Sequence, residues 1–110
     1  MIEIDLAFRV EGRVQGVSYR AWTVRAANRL GVRGEVCNVG DGSVEGTVHG
    51  PPAAVDAFLA ALRQGPPHAD VRVVRILPCP PAASTKFEQA ATRAAPAARW
   101  GADHDTAPST

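Results

Sequence analysis

Aromatic side chains make up only 5% of this 110-residue chain, and lysine is nearly absent, Lys86 standing alone among basic residues that are otherwise arginine. A sheet so poor in aromatics has no platform on which to stack single-stranded bases. Charge points the same way: 12 Lys and Arg against 11 Asp and Glu leave a formal net of +1, so no general attraction to nucleic acid or an anionic membrane is expected. Cysteine is scarce as well. Cys37 and Cys79 fit no C-x-x-C or zinc-ligand spacing, and both are expected as reduced thiols. His49, His68 and His104 fall in three separate segments, giving neither a metal cluster nor a base beside a nucleophile; each is expected at the surface or in a loop. No apolar run approaches a membrane span, and Met1-Ile2-Glu3-Ile4-Asp5 has neither the basic start nor the apolar middle of a signal peptide, so a soluble, cytoplasmic protein is expected.

What is present is a clear succession of hydrophobic patterns, in a length suited to one domain with its own core. Ile2, Ile4, Leu6, Phe8 and Val10 alternate with Glu3, Asp5, Ala7, Arg9 and Glu11, the period of a strand with one covered face. Tyr19, Thr23, Ala26, Ala27 and Leu30 then recur at helical spacing, with Ser18 as the expected N-cap and Gly31 as the stop. Val32 to Val39 and Ser43 to Gly50 read as two strands joined by a hairpin turn at Val39-Gly40-Asp41-Gly42. Pro51 and Pro52 open a second helix in which Val55, Phe58, Leu59 and Leu62 form one apolar stripe, ended by Gly65-Pro66-Pro67. Val71 to Leu77 is a fourth strand and Lys86 to Ala90 a short fifth. The order β-α-β-β-α-β plus a short fifth strand predicts an α+β, ferredoxin-like sandwich: an antiparallel sheet with both helices on one face. That layout serves many functions, so it does not by itself name one. From Ala91 the chain turns to Ala, Pro, Thr and Asp without periodicity, so residues 1–90 are expected to form the domain and 91–110 a disordered tail with Trp100 exposed and mobile.

Two short segments carry chemistry. In Gly12-Arg13-Val14-Gln15-Gly16-Val17-Ser18-Tyr19-Arg20 a strand gives way to a helix, where amides freed by the turn and the unpaired first N–H groups of the helix form a cradle for an anion. Arg20 adds a planar, permanently charged fork suited to phosphate oxygens. A side chain at Gly16 would intrude where the phosphate must approach. In the second segment, Gly34 to Glu45, Asn38 ends a strand just before an Asp-Gly turn. Asp41 is explained by that turn. Glu35 lies three residues before Asn38 and should face the opposite side of the sheet.

At these residues the chain resembles the acylphosphatases, small enzymes that hydrolyse the carboxyl-phosphate bond. The resemblance runs by motif from about Phe8 to Gly50 and by layout to about Ala90. It implies that Arg20 corresponds to the family's phosphate-binding arginine and Asn38 to its water-orienting asparagine. Glu35 stands where many members carry a tryptophan, a departure that bears on packing beside the site. The implied geometry has backbone N–H groups of Gln15, Gly16, Val17, Ser18 and Tyr19, with the Arg20 guanidinium, around the phosphoryl group. A carboxylate is a good leaving group, so positioning and charge stabilisation suffice, and no metal or other cofactor is expected. Ser18 and Tyr19 have no partner base in sequence that would make either a nucleophile. The expected partner is a small-molecule acyl phosphate, with neither nucleic acid nor membrane, acting on a monomer. Two rivals share the cradle: a non-catalytic acyl-phosphate or anion-binding module, and the detached first module of a larger carbamoyl-transfer maturation protein.

Overall fold

The computed structural model describes residues 2–101. Strand β1 (Ile4–Arg13) leads through a tight junction into helix α1 (Tyr19–Leu30), followed by β2 (Arg33–Asn38), β3 (Val44–Gly50), α2 (Pro52–Gln64), β4 (Asp70–Pro78), β5 (Phe87–Gln89) and a single 3-10 turn at Ala98–Trp100. The five strands form one sheet in the order β4-β1-β3-β2-β5. Both helices pack on the face carrying Phe8, Val10, Val36, Val44 and Val48, and the apolar stripe of α2 is buried as its spacing requires, at Val55, Phe58, Leu59 and Leu62. Phe58 stands between Phe8 and Phe87, with ring centroids at 5.6 and 5.4 Å, an aromatic contact that ties β1 and the edge strand β5 to α2. The α+β sandwich is therefore of the ferredoxin-like type. No helix among the described residues is long and apolar enough to cross a membrane.

Four expectations need correction. The sheet is mixed, because β5 runs parallel to β2, with Gly34 beside Phe87 and Val36 beside Gln89. The reason is geometric: β4 ends at the end of the sheet where β2 begins, so a chain that crosses that end to the free side of β2 and turns back runs parallel to it. Arg33 holds the crossing, donating to the Ser84 and Ala82 carbonyls and to Glu3. Secondly, β1 is covered on both faces at its centre, where Ala7, Phe8, Arg9 and Val10 are all buried. Thirdly, the expected disordered tail is ordered over residues 91–101. That segment bridges to Val39 at Arg93, and Trp100 is 3% exposed, not free in solvent. Trp100 lines a small cleft with Glu35, Thr47 and Ala97 on the sheet face opposite the helices, which explains why an aromatic sits in an otherwise small and polar stretch. The remainder of the expected tail, 102–110, and its His104 lie outside the described residues.

Fourthly, His49 is not at the surface. It is buried on β3, where Nδ1 lies 2.8 Å from Asp5 Oδ1 on the neighbouring strand and Nε2 has no partner among the described residues. Cys37 and Cys79 are both free thiols, and burial pushes each above the ordinary thiol range.

Candidate active site

The junction between β1 and α1 is built from two left-handed residues. Gly16 has φ 73° and Ser18 φ 64°, while Val17 between them is outside that region. Such alternation curls successive N–H groups toward one concavity. Ser18 is the only described non-glycine residue with positive φ, a conformation that costs energy for any side chain and concentrates at functional sites. It occupies the N-cap position as expected, but its side chain makes no cap bond. The first amide to bond back into the helix is that of Trp22, on the Ser18 carbonyl at 3.0 Å, so the preceding amides have no intrahelical partner. A Cβ on Gly16 would meet nothing within 4 Å, so this position opens onto free space.

That space is a cleft of about 310 Å³ lined by Val14, Gln15, Gly16, Ser18, Tyr19, Arg20, Ala21, Asn38 and Gln89. The fold thus brings Arg20, in the first turn of α1, and Asn38, at the end of β2, to one concavity. Arg20 is half-buried and forms no ion pair among the described residues, whereas Arg9, Arg33, Arg75 and Arg93 all meet carboxylates. The Asn38 side-chain amide likewise makes no hydrogen bond within the described residues, although its backbone carbonyl accepts the Arg93 N–H. The other expected contributors divide by role. Val17 is absent from the lining and packs its side chain against the core. Tyr19 reaches the cleft, yet its hydroxyl donates to the buried Leu62 carbonyl at 2.7 Å, and burial raises its pKa, so the phenol is committed to the core. Glu35 faces the opposite side of the sheet, where it lines the cleft beneath Trp100.

Two features escaped the sequence reading. The Gln15 side chain crosses the cleft mouth and donates to the carbonyls of Val39 and Ser43, each at 2.8 Å, joining the cradle to the hairpin that follows Asn38. On the far face of the sheet, buried Arg9 donates to Ser43 Oγ, Glu45, Glu11 and Asp41. Asp41 in turn accepts the Ser43 N–H and hydroxyl, which fixes the turn. Arg9 is one of many arginines in the chain, and its pattern position on a strand is ordinary; no local signal marks it.

Fold and cleft together define a small ferredoxin-like domain with a cationic, amide-lined cavity at a strand-to-helix junction. Residues 6–89 match the model of the acylphosphatase family, and the chain belongs to that family as an enzyme of its class. It is 53% identical over 73 residues to an acylphosphatase of Rhodospirillum rubrum, covering 66% of this chain and 80% of that one. An acylphosphatase of Azorhizobium caulinodans is 48% identical over 84 residues, with coverage of 76% and 90%. Among solved structures, the acylphosphatase of Bacillus subtilis superposes with a TM-score of 0.76 at 28% identity, covering 79% of this chain and 98% of the other.

Proposed function

We propose that the cleft hydrolyses the carboxyl-phosphate bond of acyl phosphates without a metal, Arg20 and the Gln15–Tyr19 backbone holding the phosphoryl group and Asn38 orienting the attacking water. The observation that carries this reading is the convergence in one cleft of a cation without an ion pair and a side-chain amide without a hydrogen bond among the described residues. A half-buried guanidinium without a carboxylate favours an anionic ligand, and its planar fork can meet two phosphoryl oxygens. Asn38 holds water by its side-chain oxygen and nitrogen, so that the water oxygen forms a bond to phosphorus as the bond to the acyl oxygen breaks. The carboxylate leaves with the electron pair, and the water proton passes to a phosphoryl oxygen of the substrate. Stabilising charge in place and holding the reactants in line are the contributions required. A monomer is taken as the active unit.

The test is hydrolysis of benzoyl phosphate against p-nitrophenyl phosphate, with and without EDTA. Benzoyl phosphate is turned over in EDTA, the monoester reacts far more slowly because its phenolate is a poorer leaving group than benzoate, and inorganic phosphate inhibits competitively. Loss of activity in EDTA, or equal turnover of the monoester, contradicts the mechanism.

A further inference from the structure

The family match ends at residue 89, yet the segment that follows is bonded to the strand end carrying Asn38. The Arg93 N–H donates to the Asn38 carbonyl at 2.9 Å, and the Gly40 N–H donates to the Arg93 carbonyl at 2.8 Å. The Arg93 guanidinium reaches Glu45 Oε1 at 2.9 Å, and the same oxygen accepts the Ala97 N–H at 3.1 Å. Glu45 is buried, and its second oxygen takes Arg9. Trp100 pins the end of the segment against the sheet. Gly40 adds an independent observation: its φ is not in the left-handed region, so the turn does not demand glycine there, but a Cβ at this position would collide with the carbonyl oxygen of Ala94. The chain leaves room at residue 40 for the segment to pass.

We propose that residues 91–101 form a strap that positions Asn38, with Arg93 as its positioning residue. The inference rests on the reading of Asn38 as the group that orients water. An amide that must aim a water at phosphorus cannot sit on a loose strand end, since a small misplacement costs much of the rate. Gln15 braces the hairpin from the cradle side, and the strap braces the Asn38 backbone itself from the sheet edge.

The experiment compares full-length wild type, Arg93→Ala, Arg93→Lys, Gly40→Ala, Asn38→Ala and the Asn38→Ala/Arg93→Ala double variant. It reads kcat and KM on benzoyl phosphate, inorganic phosphate Kd by calorimetry, and folding by circular dichroism. Arg93→Ala and Gly40→Ala each lower kcat by roughly tenfold while KM and the phosphate Kd hold, because the cradle is untouched. Arg93→Lys, which keeps a cation beside Glu45, restores most of kcat. In the Asn38→Ala background, Arg93→Ala causes no further loss, the non-additivity of a residue acting through another. Wild-type kcat in Arg93→Ala and Gly40→Ala, or an equal loss from Arg93→Ala in both backgrounds, overturns the strap. Wild-type kcat in Asn38→Ala itself instead overturns the water-orienting reading, and the strap's role falls with it.

Discussion

The side-chain nitrogen of Gln15 lies 2.8 Å from the carbonyl oxygen of Val39, one residue past Asn38, and the same nitrogen lies 2.8 Å from the Ser43 carbonyl. One amide therefore fixes the width of the cleft mouth, setting the distance between the cradle and the hairpin. Gln15→Glu replaces the donor by a carboxylate facing two carbonyl oxygens. It is expected to cost about 1–3 kcal/mol of stability by loss of two hydrogen bonds, and to slow benzoyl phosphate turnover. Urea titration and the activity assay check both; unchanged stability would show that the two bonds are not formed in solution.

Substitutions at Arg20 and Asn38 are expected to separate binding from chemistry. Arg20→Lys keeps the charge but loses the planar fork, so phosphate affinity and turnover fall together. Asn38→Ala keeps the cradle, and its phosphate Kd stays near wild type while turnover drops by roughly 100-fold, the scale for one positioned polar group lost from a transition state. Calorimetry with inorganic phosphate beside benzoyl phosphate kinetics distinguishes the two; near-full turnover in Asn38→Ala contradicts the assigned role.

Trp100 is buried although it lies beyond the family match. Trp100→Ala is expected to lose about 2–4 kcal/mol, toward the range for large-to-small core substitutions. In a Trp22→Phe background, Trp100 fluorescence should be blue-shifted in the native state and move to the red on unfolding. Emission at the wavelength of free tryptophan in the native protein would mean that the segment is not docked.

Acid should weaken the charged network on the far face. A hydrogen bond from Arg75 lowers the Glu11 carboxyl below its ordinary 4.5, against burial, which raises it, and Arg9 adds to the lowering. A depressed carboxylate contributes stability that is fully present above its unfolded pKa and is lost as pH falls through the lower folded value. Denaturation midpoints measured downward from neutral pH should therefore start to fall below about pH 4.5. The part of that slope due to Glu11 should be missing in Glu11→Gln. Parallel curves for the two proteins would remove Glu11 from the acid response.

The sequence by itself determined the order of elements, the apolar stripes of both helices and the hairpin between β2 and β3. Periodicity, capping and turn chemistry act within a few residues, so they can be read locally. It also singled out Arg20 and Asn38, since a glycine-flanked strand-to-helix junction and an asparagine before an Asp-Gly turn are local signals; their convergence in one cleft followed only when the sheet paired. Tertiary structure alone decided the parallel edge of β5, the burial of His49 beside Asp5, and the docking of Trp100. It also decided that Arg9 would be buried with carboxylates from β1, the hairpin turn and β3, and that Arg93 would hold the backbone of Asn38. The physical reason is common to all of these. Whether a strand face is covered, a charge compensated or a carbonyl bonded depends on partners far away in the chain, and no short-range pattern specifies them.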